Sequence, residues 1–218
     1  LREGVMISHF EMLSDWQWYR RRGGSDRKST EVFFRHWIPM LAPATPHIAE
    51  EFWSKVGNQD MVSEHIISNI SELEDDIIHI AKEQYLRDLI DSSRNVKGLA
   101  SRHSEVAISK CIIQTSPKWK NDIAIEALSL SVENFDFKRN GMNHVKSLEV
   151  FGVEKLRGEV IQTWQSFTTG NKKTRGKIHT WSEAEKSLIN LRFNESEFIN
   201  KNADFIAYSL SIDNVFSY

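Results

Sequence analysis

The chain has 218 residues and one cysteine, Cys111. A single thiol excludes an internal disulfide and a cysteine-based zinc site, and it suits a reducing compartment. No apolar run approaches the roughly 20 residues that a membrane-spanning helix needs, and no secretory leader is expected. Two sequon triplets, Asn69-Ile70-Ser71 and Asn194-Glu195-Ser196, are read as chance matches, because nothing else marks a secreted protein. Net charge is also lacking: 28 Lys and Arg stand against 30 Asp and Glu, so a polyanion-binding role would need local basic patches. The eight histidines form no H-E-x-x-H or comparable ligand spacing. His9 on an apolar helix face and His47 in a first helical turn are expected to be structural, and no metal site is expected. No Ser-His-Asp or paired-carboxylate arrangement stands out either. The chain does not begin with Met, and "LREGVMISHFEML" reads as the middle of an amphipathic helix. The expectation is a piece of a longer protein, cut at or near a domain edge.

What is present is a core-forming, aromatic-rich chain. Hydrophobic residues make up 40%, with seven Trp and twelve Phe, which argues against disorder. Residues 1–22 read as one helix, with Val5, His9, Met12, Leu13, Trp16 and Tyr19 at three- and four-residue spacings. Gly23-Gly24 ends it, since glycine takes a left-handed cap readily. A second helix is expected from about Thr30 with Val32, Phe33, Trp37 and Met40 as its apolar face, broken by Pro43. In "LAPATPHIAEEFWSKVG" (41–57), Thr45 is the expected N-cap and Pro46 the first helical residue. Ile48, Phe52 and Val56 recur every fourth position there, and Gly57 closes the helix. A long helix is expected from about Ser71 to Val96, with Leu73, Ile77, Ile78, Ala81, Tyr85, Leu89 and Ile90 as its stripe.

The texture changes near residue 100. "EVAISKCIIQT" (105–115) alternates around β-branched residues and predicts a strand. Ser116-Pro117 predicts the immediate start of a helix, with Ser116 as N-cap. Helices are further expected over 142–150 and 153–167 and in "WSEAEKSLINLRF", and a second strand over 203–212, "ADFIAYSLSI". The fold class is therefore mostly α: a helix bundle at 1–100, then a small mixed α/β domain at 101–218, with the boundary between about 97 and 106. The sheet is expected to hold more strands than the sequence reveals.

Charge separates along this layout. From Trp16 to Lys28 there are five bases and one acid, and from Lys172 to Lys177 four bases and no acid. From Asp60 to Asp91 nine acids face two bases, so the balanced total hides patches. Arg20, Arg21 and Arg22 either complement the dipole of a helix end or meet phosphate, for which the planar guanidinium is suited. Trp16 and Tyr19 lie on the apolar stripe and are expected in the core. Trp18 lies off it, is more open, and is a candidate for stacking on an unpaired RNA base. Arg27 and Lys28 extend the patch. "TTGNKKTRGK" (168–177) lacks the first glycine and the spacing of a phosphate loop, which excludes nucleotide hydrolysis by that motif. Its Lys172, Lys173 and Arg175 remain candidates for contact with an RNA backbone.

Two stretches together carry a resemblance. "LAPATPHIAEEFWSKVG" resembles the helix-opening motif of the anticodon-binding bundle of class Ia aminoacyl-tRNA synthetases. "WQWYRRRGG" is similar to the preceding bundle helix of leucyl-tRNA synthetases of the archaeal and eukaryotic cytosolic type, and "CIIQTSPKWK" to the start of that type's extra C-terminal domain. The resemblance is strong over residues 1–57, fair over 71–125 and weak beyond. A Trp-Pro pair common in the family after the Gly57 region is missing, and "DNVFSY" stops short of the family's usual last segment. No H-x-G-H and no K-M-S-K-S occurs, so the resemblance implies that ATP activation and aminoacyl transfer lie elsewhere in the parent protein.

Implied with it are an ATP- and Mg-dependent, cytoplasmic leucine-ligating parent, no cofactor held by this chain, and tRNA(Leu) with its long variable arm as partner. The catalytic and editing domains of the same chain are the other implied partners. Lys138 and Arg139 in "FDFKRNG" are placed by position near the arm. An isoleucyl or valyl enzyme, or a helical protein-interaction module without RNA, are the alternatives.

Overall fold

The computed structural model describes residues 2–65, 76–103, 107–129, 157–168 and 180–218. The expected helix at 142–150 and the basic loop at 169–177 lie outside them. Two compact units are found, Leu1–Glu74 and Asp75–Tyr218.

The first unit is helical. Helix α1 (Arg2–Val5), a π-helical segment (Met6–Glu11) and α2 (Met12–Arg21) run on without a break. The π segment widens the backbone ladder, and the Ser8 carbonyl accepts the Trp37 indole N–H at 2.6 Å. The buried Trp37 polar atom is thereby satisfied by a distant helix. Helix α3 (Arg27–Leu41) starts at Asp26, whose carboxylate accepts from the Ser29 backbone N–H at 2.7 Å. Helix α4 (Pro46–Lys55) has Pro46 in its first turn, as the sequence predicts. Thr45, however, makes no side-chain cap. Its hydroxyl is turned back into the preceding turn, where it donates to the Leu41 carbonyl at 3.1 Å. Trp37, Ile38, Leu41, Ala49, Trp53 and Val62 form the core. Ile48 and Phe52 stand exposed, so α4 buries the row carrying Ala49 and Trp53 instead.

The second unit opens with α5 (Ile77–Arg102), capped by Asp76, which accepts from the His79 backbone N–H at 3.0 Å. The helix buries Ala81, Leu86 and Ile90. After it come β1 (Lys110–Ile113), α6 (Lys118–Ser129), α7 (Arg157–Thr168), α8 (Glu183–Asn190), α9 (Glu195–Lys201), α10 (Ala203–Leu210) and β2 (Asn214–Ser217). Helix α5 packs on α8 and α10, and α6 packs on α7 around Ile123, Ala127, Val160 and Trp164.

The expected strand at 203–212 is instead helix α10. Ala203, Ile206, Ala207 and Leu210 follow the i, i+3, i+4, i+7 spacing of one helix face, and the last three are buried. Alternation in "ADFIAYSLSI" fits equally well, and packing selects the helix. The strand forms four residues later. β2 pairs parallel with β1, Cys111 opposite Val215 and Ile113 opposite Ser217, and these two strands are the whole sheet among the described residues. Helix α6 starts at Lys118, and the Ser116 backbone N–H donates to Glu195 at 3.0 Å.

Candidate nucleic-acid interface

The end of α2 is built by a backbone motif. The Gly23 N–H donates to the Arg20 carbonyl at 3.1 Å, and the Gly24 N–H reaches the Tyr19 carbonyl at 2.9 Å. This double closure requires a left-handed residue in the first position, where Gly23 has φ of 90°. Gly24 meets a different demand. A Cβ there would run into the Tyr19 ring, so the turn lies flat against the aromatic face. Tyr19 in turn begins a ladder of near-parallel rings. Tyr19 stacks on Trp16 at 5.3 Å, Trp16 on Phe33 at 4.5 Å, Phe33 on Trp37 at 5.5 Å and Trp37 on Phe52 at 6.4 Å. The ladder ties α2, α3 and α4 together and holds the cationic turn against them. Trp16 and Tyr19 are half-buried, not fully enclosed, and they line an open groove of about 670 Å³ with Phe33, Lys28 and His36.

The cations on this frame have different occupations. Arg20 donates from Nη1 to the Gly24 carbonyl at 3.2 Å and braces the turn. The Arg21 guanidinium lies 5.7 Å from the centre of the Trp18 ring, a cation–π distance. Arg22 is half-buried, whereas Arg20 and Arg21 are exposed. Arg27 is paired with Glu31 at 2.7 Å, one turn along α3, and that carboxylate raises the Arg27 pKa. The pair is fully on the surface, where such bridges contribute little to stability. Lys28 borders the groove. Asp26 is held below the usual carboxylate range, chiefly by the Ser29 backbone N–H, and remains an anion beside the patch. Lys138, Arg139, Lys172, Lys173 and Arg175 lie outside the described residues.

The second unit holds a smaller half-enclosed pocket of about 250 Å³, lined among others by Tyr85, Lys120, Trp181, Phe193 and Glu195. Burial, with the Glu195 charge behind it, pushes the Tyr85 phenol up to about 12, so it stays neutral over the ordinary pH range. No group of three His, Cys, Asp or Glu suited to a metal ion exists among the described residues. No helix among them is long and apolar enough to cross a membrane.

The family model described as "Anticodon-binding domain of tRNA ligase" matches residues 8–114, running from the first unit through α5 to β1. A leucine–tRNA ligase of Methanococcus maripaludis is 29% identical over 171 residues, covering 72% of this chain and 17% of that protein. One from Methanocaldococcus jannaschii is 26% identical over 174 residues, covering 73% of this chain and 17% of that protein. One from Methanosarcina acetivorans is 30% identical over 134 residues, covering 61% of this chain and 13% of that protein. The chain thus spans about 17% of the length of the first two. Residues 8–114 are thus similar to the anticodon-binding domain of tRNA ligases, and the chain as a whole is similar to part of the archaeal leucine–tRNA ligases.

Proposed function

We propose that this chain is the tRNA-binding C-terminal portion of a leucine–tRNA ligase. It docks and orients tRNA(Leu) for ATP- and Mg-dependent aminoacylation, carried out by a catalytic domain elsewhere in the same cytoplasmic protein. The observation that carries this reading is the meeting of two facts at one place. The matched domain contains a helix end bearing three consecutive arginines, and that end is fixed by the Gly23-Gly24 closure and the aromatic ladder. A rigid cationic ridge of this kind suits a phosphate backbone, which positions a nucleic acid without reading its sequence. In this reading a bundle at 1–100 holds the backbone near the elbow and inner arms. A C-terminal part at 101–218, with Lys138, Arg139, Lys172, Lys173 and Arg175, tests the long variable arm. The catalytic and editing domains of the parent are the other partners.

The test is a titration of the chain against tRNAs with and without the long arm at two salt concentrations. Tighter binding of the long-armed tRNA and a steep salt dependence are expected. Replacing Arg20, Arg21 and Arg22 together with Ala weakens binding and lowers the salt slope. No binding at low salt would leave a protein-interaction module as the better account, and preference for a short-armed tRNA would point to an isoleucyl or valyl enzyme.

A further inference from the structure

The half-enclosed pocket of the second unit collects rings and carboxylates. Tyr85 of α5, Phe167 of α7, and Trp181 and Phe193 on either side of α8 give its wall four aromatic rings, and Glu185 and Glu195 also line it. Each carboxylate is fixed through one oxygen. Glu195 Oε2 accepts from the Ser116 backbone N–H at 3.0 Å. Glu185 Oε2 accepts from the Ser182 backbone N–H at 2.7 Å and from its hydroxyl at 2.9 Å, within the capping box of α8. The Oε1 atoms of both have no hydrogen bond among the described residues. The cations nearby are engaged elsewhere. Lys186 pairs with Glu183 at 2.6 Å, and Arg192 leans on Asp122 at 3.8 Å. Lys120, the one cation of the lining among the described residues, carries its ammonium 5.4 Å from the centre of the Trp119 ring, which is not part of the wall. The surroundings are dry enough, and Glu195 near enough, to push the Tyr85 phenol up to about 12.

Carboxylates among aromatic rings select for positive charge. A carboxylate oxygen takes a short, charge-assisted bond from N⁺–H, and aromatic rings attract a cation and shelter the methylenes beside it. An anion would meet two like charges. The volume of about 250 Å³ lies below the roughly 300–1,000 Å³ of sites for drug-sized ligands, so the ligand is small or a single side chain. We propose that this pocket binds an alkylammonium group, the chemistry shared by free diamines and by a lysine side chain of a partner protein. Glu195 and Glu185 are its charge partners, and the aromatic wall packs on its alkyl chain. The site stands apart from the tRNA-binding reading, and its test contains no RNA.

Calorimetric titration of the whole chain at physiological salt with putrescine, with Nα-acetyl-lysine amide and with uncharged butanediol tests it. Saturable binding of an amine and none of the diol is expected, and the tighter of the two amines tells a free diamine from a lysine side chain. Glu195→Gln can still accept from Ser116 but loses the charge, and it weakens binding about ten-fold, the scale of one hydrogen bond to a charged group. Glu185→Gln keeps the capping box and weakens binding about two- to five-fold, because that carboxylate is exposed. Trp181→Leu costs about two- to five-fold, as for an open cation–π contact. Glu197→Gln removes an exposed acid that does not line the pocket and leaves binding unchanged. Equal binding of the diol, no binding of either amine, or undiminished binding by the Glu185→Gln, Glu195→Gln double variant overturns the proposal. So does an equal loss on Glu197→Gln, the sign of cations condensing loosely on an acidic surface. Circular dichroism of each variant separates these outcomes from misfolding.

Discussion

Gly23, Gly57, Arg192 and Ser211 occupy the same place in four helix ends and differ in what the left-handed backbone demands of them. Gly23 and Gly57 take it freely at φ of 90° and 98°. Arg192 and Ser211 sit at φ of 51°, where a Cβ is disfavoured by about 1–2 kcal/mol. Arg192→Gly is therefore expected to stabilise the chain by about 0.5–1 kcal/mol, after allowing for the added freedom of the unfolded chain. Urea denaturation measures the gain. Gly24→Ala should do the opposite. The new methyl enters the Tyr19 ring, and overpacking of this kind costs about 1–3 kcal/mol. A Gly24→Ala variant with an unchanged unfolding midpoint would mean that the ring yields without loss. Both glycines were recognisable in the sequence as a helix stop. That Gly24 serves the Tyr19 ring, and not a positive φ, was not, because the ring and the turn come together only when the turn folds back.

At the scale of elements, one side-chain bond joins α3 to the helix before it, and aspartate caps start α3 and α5. The Trp37 indole N–H, received by the Ser8 carbonyl, locks the π segment to α3. Trp37→Phe keeps the ring and removes the donor, so one buried hydrogen bond is lost at a cost of about 0.5–1.5 kcal/mol. Hydrogen exchange should then quicken over Met6–Glu11 before it does over α4. The N-caps give a pH signature. Asp26 and Asp76 are both held below the ordinary aspartate value of 3.8, each mainly through a backbone N–H three residues on. A carboxylate depressed in the folded state stabilises above the unfolded value, and that stabilisation is lost as pH falls through the folded one. Helical circular dichroism should thus be flat near neutrality and decline below about pH 4. The variant Asp26→Asn, which still caps but cannot be protonated there, should lose the α3 share of that decline.

Helix positions along the chain could be read from apolar spacing and from Gly and Pro punctuation, which is why α2 and α4 stand close to where the sequence places them, whereas α5, expected over Ser71 to Val96, is capped by Asp76 and runs on to Arg102. Which face each helix buries was harder. Ile48 and Phe52 look like the core row of α4, yet Trp53 and Ala49 occupy it. Ile77 is exposed on α5 while Leu86 is buried. A row of apolar residues states that one face is favoured, and the neighbouring helix decides which of two adjacent rows is used.

At the scale of the whole molecule, the contacts of α5 matter most. It packs on α8 and α10, and Lys97 donates to the Leu210 carbonyl at 2.5 Å and the Ser211 carbonyl at 3.1 Å, capping α10 with a cation. A chain truncated after residue 103 is expected to lose discrimination for a long-armed tRNA. It should also lose ordered α5, because Leu86 and Ile90 are stripped of their cover. A cut within residues 66–75 should leave each unit with its own core, so that Trp37 and Trp53 stay protected in the shorter piece. Tryptophan emission and helical content of the two truncations check this. Equal retention of α5 after both cuts would contradict the packing.

The sequence by itself determined the helical class, the punctuation of the first 57 residues, the family to which they point and the gathering of five cations between Trp16 and Lys28. Those features are local, since spacing, caps and composition act over a turn or two. Only the tertiary structure decided that 203–210 is helix, that β1 pairs with β2 across some hundred residues, and that Arg20 turns back onto the Gly24 carbonyl. Each of those depends on a neighbour distant in sequence or on a chain reversal, and no local pattern records what such a neighbour will be.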